Sequence, residues 1–379
     1  MFDPSERLIR FGIIGLGVGW QHALSLESMK GAELVALCDR DPEVLGRARD
    51  RFPTATGYGR EDQLLAEAGV DAIVVASYDN EHAATIVRAL AQGVHVFAEK
   101  PLGTTQVDLE AISQALERSP STRLTTNTLL RRSPRFVWLK EQIDRGDIGR
   151  VFHAELDYLY GRLEKLTDGW RGKDPNYSVT LGGAIHMVDL LMWLTGERPS
   201  SVTAVGSSLG LRASSMNNST GFTGHDLRVA LLEFPSGMTA KISANFACVM
   251  PHFHRVEVFG TEGTFFNVPY DVSDAGTSST QEVPGIRSVG AQFQNRDPEI
   301  LPRQLDLPYP AVPKGILLPQ FASAISGTGE LAITEQEALD VTSVCLAIDQ
   351  SARHRVAVQV EYVLVTARQR PNQRVGEAN

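Results

Sequence analysis

The apolar run Val94-His95-Val96-Phe97-Ala98 ends in Glu99-Lys100-Pro101. Such a run, closed by a carboxylate, an amine and a proline, reads as a short buried strand whose ladder stops at the proline. At the carboxyl end of a strand in an open parallel sheet, a lysine faces whatever the sheet binds, so Lys100 is a candidate for chemistry on a ligand. The plain alternative is a solvated amine beside a surface ion pair. Far along the chain, His186 and Asp189 stand at i and i+3 in an apolar helical pattern from Gly183 to Leu194. There they share a face while Leu190, Leu191, Trp193 and Leu194 supply packing. Imidazole titrates near neutrality and can take a proton unaided. A lysine serves only through its charge at a developing alkoxide, or through a pKa lowered by burial. A histidine that merely satisfies a helix or core hydrogen bond is the alternative for His186.

These two side chains need elements to hold them, and the first half of the chain supplies a recognisable set. Arg10 to Ile14 is a strand pattern, followed by Gly15-Leu16-Gly17-Val18-Gly19-Trp20 and a helix toward Met29. Strand, glycines and helix outline a dinucleotide fingerprint, because a pyrophosphate must approach backbone amides closely at a helix N-terminus. In Gly-x-Gly-x-x-Gly the third glycine falls at position 20, which is Trp20 here, and Gly19 comes one residue early. The second strand, Glu33 to Cys38, runs into Asp39. A carboxylate there suits the ribose 2′-hydroxyl and favours NAD, while the adjacent Arg40 could take a 2′-phosphate and keeps NADP open. A turn or N-cap role for Asp39 ahead of Pro42 also stands.

Strands at Asp71–Ala76 and Val94–Ala98, with helices from about Glu81 to Ala91 and Gln106 to Arg118, then a strand ending at Asn127, predict a parallel doubly wound sheet over residues 1–127. Ser77, Tyr78, Asp79, Asn80 and His82 follow a strand and are expected at its crevice, with Asn80 equally suited to cap the next helix. Glu99, Lys100 and Asn127 complete the expected cofactor contacts.

From residue 128 to 365 the pattern changes. Ser133-Pro134 opens a helix that stops at Gly146. Strand patterns recur over 151–160, 201–207, 226–234, 238–246, 255–260 and 263–268, several joined by short turns such as Pro235-Ser236-Gly237, which argues for an antiparallel sheet. Residues 206–224 and 271–310, rich in Ser, Asn, Gly and Gln, read as loops. Thr334 and Glu337 form a capping box ahead of a helix to about Ala352, and 356–360 returns as a strand. The Arg-containing tail 366–379 reads as solvated and disordered.

The 379 residues fit two domains. A net charge of −9 argues against nucleic-acid and anionic-membrane partners, and no apolar run is long enough to span a bilayer. Three scattered cysteines without a Cys-x-x-Cys fit a reducing, cytoplasmic setting. His252 and His254 alternate along a strand without an evident third ligand, so no metal is expected.

Gly15-x-Gly17, Asp39, Ala72 to Ala76 with Asn80-Glu81-His82, Glu99-Lys100-Pro101-Leu102, Trp170-Arg171 and Gly182-Gly183 with His186 to Leu191 resemble the glucose-fructose oxidoreductase and inositol dehydrogenase family. The resemblance implies a Rossmann domain followed by an α/β domain with a large, open, mostly antiparallel sheet that forms a homodimer or homotetramer interface. It also implies that Lys100 lies beside the nicotinamide and substrate, and that His186 transfers the proton. Many members carry an aspartate four residues before the histidine, where this chain has Gly182, so either Asp189, Asp174 or Tyr177 substitutes for it or Lys100 and His186 work without a carboxylate.

Together these readings predict an NAD(P)-dependent oxidoreductase acting on a secondary hydroxyl or ketone of a sugar, inositol or sugar nucleotide. Substrate contacts are expected from Lys100, Arg131, Tyr160, Trp170, Arg171, His186 and Asp189, with Arg132, Tyr158, His252 and His254 nearby. Arginines 131, 132 and 171 suit a phosphorylated substrate, or else hold the cofactor or the fold. A non-catalytic dinucleotide-binding sensor of the same fold is the alternative.

Overall fold

The computed structural model describes residues 8–174, 177–216, 218–249, 252–270, 288–297, 303–305 and 312–365. The first sheet is built from β1 (Ile9–Ile14), β2 (Ala32–Cys38), β3 (Thr56–Tyr58), β4 (Ala72–Val75), β5 (His95–Ala98) and β6 (Leu124–Thr126). All six run parallel in the order β3-β2-β1-β4-β5-β6. Helices α1 (Gly19–Glu27), α2 (Pro42–Arg51), α3 (Glu61–Glu67), α4 (His82–Ala91) and α5 (Gln106–Arg118) make the crossovers. Phe11, Ile13, Ile73, Val74, Val96 and Phe97 are wholly buried, as expected of central strands with both faces covered. The strand order reverses between β1 and β4, so the crevice beyond their carboxyl ends is where such a sheet takes a ligand.

The second half begins with α6 (Pro134–Arg145), which ends at Gly146 with φ 81°, as its proline and glycine predict. The strands β7 (Val151–Leu159), β8 (Ser201–Ser207), β9 (Leu227–Glu233), β10 (Thr239–Asn245), β11 (Phe253–Gly260) and β12 (Gly263–Tyr270) form the body of a second sheet. Between β7 and β8 come short helices α7 (Glu164–Thr167) and α8 (Trp170–Lys173), a π-helical turn (Thr180–Ala184) and α9 (Ile185–Thr195). The pairing β10 to β7 is the one parallel pair among the described strands of this sheet. Leu190 and Leu191 of α9 are buried with Leu156, Ile242 and Leu232 of the sheet in one core.

Three expectations fail here. Residues 206–224 are not all loop: α10 (Leu209–Ala213) lies within them. Part of 271–310 extends the sheet, as β13 (Ser288–Asn295) pairs with β12 and β14 (Arg303–Leu305) with β13. Small and polar residues at most of these positions give the sequence little strand pattern, while Leu305 of β14 joins the second apolar core. The strand foreseen at 356–360 shrinks to β15 (Val358–Gln359), paired with β8. The rest of 271–310 and the tail 366–379 lie outside the described residues.

The last elements, α11 (Leu318–Ile325) and α12 (Glu335–His354), serve both halves. Phe321 packs its ring 5.7 Å from Phe97 and 6.3 Å from Phe11, inside the core of the first sheet. Val344 and Ile348 of α12 belong to the second core. Thr334 caps α12 with Glu337 in the foreseen reciprocal box. This return of the chain brings Lys314 to the crevice.

Candidate active site

A cleft of about 1310 Å³ runs from the glycine turn to α9. Its floor at one end is made by glycines with distinct tasks. Gly15, at φ 87°, turns the chain against β4, and a Cβ there would stand 2.5 Å from the Ala76 carbonyl oxygen. At Gly17 nothing lies within 4 Å of a Cβ position, which leaves the backbone open to a pyrophosphate at the start of α1. Gly19 does not line the cleft; a Cβ on it would meet Ile13 at 2.8 Å. It therefore does the helix-to-strand packing that the fingerprint assigns to its third glycine, and Trp20 is left to line the cleft, edge-on to Phe52.

Asp39 lines the same end. Its Oδ2 accepts from the Leu16 amide at 2.8 Å and its Oδ1 from the Asp41 amide at 2.9 Å, so the carboxylate braces the glycine turn, while Asp41 rather than Asp39 caps α2. Arg40 is ion-paired to Glu81 and lies 5.2 Å from the centre of the Tyr78 ring. Ser77 lines the cleft. His82 also lines it, but its two ring nitrogens sit 2.7 Å from the Pro101 carbonyl and 3.1 Å from the Ser77 carbonyl, clamping the ends of β4 and β5 together. The residues fit a dinucleotide: an open glycine, an unencumbered helix start and a carboxylate at the ribose position.

Besides Gly19, two expected cofactor residues do not reach the cleft. Asn80 is exposed outside it, and Glu81, without a side-chain cap bond, stands at the start of α4, so Asn80 neither lines nor caps. Asn127 is buried behind Glu99, donating to its Oε1 at 2.8 Å and to the Lys314 carbonyl at 3.0 Å. Glu99 accepts a further bond from His22 at 2.9 Å. Burial works to raise its pKa, but His22, Lys314 and Asn127 outweigh that and hold the carboxyl at about 2. Glu99 is thus a fixed buried anion under Lys100. His22 was legible as a polar residue on the buried face that Gly19, Ala23 and Leu26 define on α1.

The Lys100 ammonium, just past β5, donates to the Gly182 carbonyl of the π-helical turn at 2.7 Å, across the two halves. Burial pushes its pKa below that of an ordinary lysine; Asp79 and Glu99 draw it back up, and Arg171 and Lys314 add to the fall. His186 lines the same cleft, its ring stacked 5.9 Å from Tyr158. Burial first, then Lys100, Lys314, His254 and His252, push its pKa well down, so it is neutral at pH 7. Its Nδ1 has no hydrogen-bond partner among the described residues, and none of their carboxylates orients the ring through that atom.

Position 182 explains why. A Cβ there would stand 2.1 Å from the Tyr177 hydroxyl oxygen, so the phenol fills the space a side chain would need. Tyr177 is buried and lines the cleft, with the Arg171 guanidinium 5.9 Å from its ring centre; burial raises its pKa, so it is a neutral donor and acceptor. Trp170 stacks on Tyr78 at 4.7 Å and 19°, and the Arg171 guanidinium lies 4.5 Å from the Trp170 ring. Tyr160 and Tyr158 line the cleft 5.7 Å apart. His252 and His254 sit 4.9 and 5.4 Å from Tyr158, and burial foremost lowers both, His252 to about 4. No group of three metal-ligating side chains occurs among the described residues.

Arg131 and Asp189 leave the site. The pair is buried, with Arg131 Nη2 donating to Asp189 Oδ1 at 2.7 Å and Nη1 to Glu337 at 2.7 Å, and neither lines the main cleft. Position i+3 places Asp189 about 60° around the helix from His186, and α9 is buried on nearly every side, so that turn takes it from the cleft to the interior. Arg132 is exposed and also outside the cleft. Lys314, unforeseen, lines it. No local pattern marks this lysine; only the return of α11 to the first sheet brings it there.

Residues 9–127 match the model of an oxidoreductase family with an NAD-binding Rossmann fold, and residues 136–266 match the GFO/IDH/MocA C-terminal domain. The chain is 28% identical over 270 residues to myo-inositol 2-dehydrogenase of Thermotoga maritima, a span of 68% of this chain and 75% of that protein. It is 27% identical over 370 residues to the NAD(+) scyllo-inositol 2-dehydrogenase of Bacillus subtilis, covering 94% and 97%. The crystal structure of myo-inositol 2-dehydrogenase from Lactobacillus plantarum superimposes with a TM-score of 0.76 over 94% of this chain and 100% of that one, at 18% identity, a likeness of fold. The glycine cradle, the strand-end lysine and both domain matches in the same order place the chain in the GFO/IDH/MocA family of NAD-binding oxidoreductases.

Proposed function

We propose that this chain is an NAD-dependent dehydrogenase of a sugar or inositol, with Lys100 and His186 as its catalytic pair. The observation that carries the reading is that these two side chains, one from the end of β5 and one from α9, line a single cleft with the glycine cradle. NAD, when bound, supplies the hydride acceptor. His186, held neutral, takes the hydroxyl proton at its imidazole, and the Lys100 ammonium stabilises the alkoxide that forms at that oxygen. Gly182 fixes the ammonium by its carbonyl, Tyr158 orients the imidazole by stacking, and Trp170 stacks on Tyr78 across the two halves. Asp39 receives the ribose, and Tyr160, Trp170 and Arg171 contact substrate. Lys100→Ala and His186→Ala should each lower kcat at least about 100-fold with NAD affinity, read by fluorescence quenching, little changed. Near-normal turnover in both would sink the assignment.

The division into residues 1–127 and 128–365 follows the two sheets, with α11 lent back to the first core. A homodimer or homotetramer through the open face of the second sheet is supported by exposed Val205 and Leu231 beside the Lys241–Glu155 pair, and sedimentation velocity tests it. A cytoplasmic setting suits Cys38, Cys248 and Cys345, none of them in a disulfide.

A further inference from the structure

The cations of the cleft fall into two groups. At the cofactor end, Arg40, Arg47, Arg60 and Arg88 line it, and all but Arg47 are in an ion pair among the described residues, Arg40 with Glu81, Arg60 with Asp62 and Arg88 with Glu61. At the chamber end, Lys165, Arg171 and Lys314 also line it, and none of the three is in an ion pair among the described residues. Arg171 rests on a built platform, 4.5 Å from the centre of the Trp170 ring and 5.9 Å from that of Tyr177. Trp170 is in turn stacked on Tyr78 of the other half. The charge of Arg171 acts on Lys100 and Tyr177, and that of Lys314 on Lys100, His186 and His252, so both converge on the reacting groups.

Little opposes them. Glu99, on which Lys314 acts together with His22 and Asn127, and Asp79 are the two carboxylates of that end, against the four cations Lys100, Lys165, Arg171 and Lys314. A further one at position 182 is shut out by the Tyr177 hydroxyl. The nearby histidines are neutral. A neutral polyol would leave this surplus of positive charge uncompensated as water is expelled, whereas an anion would make charge-assisted bonds to a forked donor already oriented by stacking.

We infer that the substrate bears an anionic group, a carboxylate or a phosphate on the sugar or cyclitol, seated between Arg171 and Lys314. The inference rests on the dehydrogenase reading above and names its substrate class. The cofactor's pyrophosphate is the competing claimant to these cations. It is served at the other end of the cleft by the open Gly17 backbone and the N-terminus of α1.

The test uses the whole protein with NAD and matched pairs: aldoses against their uronic acids, and aldoses or inositol against their monophosphates. The acidic member should exceed its neutral partner by about 10- to 100-fold in kcat/KM, the effect of one or two charge-assisted bonds. Which acid wins identifies carboxylate or phosphate. Arg171→Gln and Lys314→Gln should each cut the acid-to-neutral ratio about tenfold, and Lys314→Arg should retain it. Equal kcat/KM within every pair, or ratios unmoved by both variants, overturns the inference and leaves the dehydrogenase standing. A tenfold weaker NAD affinity in both Gln variants hands the cations to the cofactor and also overturns it. NAD binding without turnover of any pair overturns both readings.

Discussion

Gly182→Ala adds one methyl group to a turn where, in an ordinary helix, the same change stabilises by about 0.4–1 kcal/mol. Here the methyl carbon would stand 2.1 Å from the Tyr177 oxygen, 2.8 Å from Cζ and 3.3 Å from Cε2, and the gap between 2.1 and 3.0 Å has to be opened before the contact is tolerable. Tyr177 resists: it is buried, edge-on to Trp170 at 6.1 Å and 81°, with the Arg171 guanidinium 5.9 Å from its ring centre. On the other side is the π-helical turn whose Gly182 carbonyl holds the Lys100 ammonium at 2.7 Å. Whichever side yields, a group at the reacting centre moves by close to 1 Å, and a misplacement of about 1 Å costs on the order of 100-fold in rate, or roughly 2.7 kcal/mol in the barrier. The assay is steady-state kcat/KM on the best substrate, with NAD affinity and the thermal midpoint recorded for each variant. Tyr177→Phe alone removes one polar hydroxyl from the cleft and should lose about 3- to 10-fold. In the double variant the nearest atom is Cζ at 2.8 Å, a gap that small adjustments close, so activity should climb back to that of Tyr177→Phe. A Gly182→Ala enzyme with wild-type kcat/KM, or a double variant whose losses simply add, would refute the claim that this hydroxyl holds the place of a side chain.

The extent to which this site could be read from the sequence follows from how locally each residue is fixed. Lys100 was legible because a four-residue buried strand that ends in Glu-Lys-Pro leaves its charged end little choice but the crevice. Gly15 and Gly17 were legible for the same reason, and Gly19 showed only an offset, since spacing does not reveal whether a glycine faces a ligand or a strand. His186 and Asp189 shared a face on paper. But α9 is enclosed by the sheet and by α12, so a polar side chain on it meets either a cavity or an internal partner, and 60° decides which. The partner of Asp189, Arg131, is 58 residues away, a distance across which helical periodicity says nothing. Lys314 and the phenol of Tyr177 enter from the return of α11 and from a loop folded onto the π-helical turn. They are products of tertiary closure, which no local propensity encodes.

The pH dependence of kcat/KM should follow two displaced groups. His186 works as the neutral base, so activity is lost only as pH falls through its lowered pKa, and the acid limb should lie well below 6.5. Lys100 works as the cation and is lost as pH rises through a value below 10.5; Asp79→Asn removes a charge that raises that value, so the alkaline limb should move to lower pH, and an unmoved limb would separate Asp79 from Lys100. The Arg131–Asp189 pair should govern stability instead of substrate affinity. Its side chains are 4% and 0% exposed, and breaking such a pair by removing one member costs about 3–5 kcal/mol. Asp189→Asn leaves Arg131 its second carboxylate, Glu337, which is 39% exposed, whereas Arg131→Met strands Asp189 as a buried anion. Urea unfolding should therefore show the larger loss for Arg131→Met, with KM little altered in either variant. A raised KM at an unchanged urea midpoint would return Arg131 to the substrate, because a guanidinium that contacts ligand can be removed without disturbing the core and one that neutralises a buried carboxylate cannot.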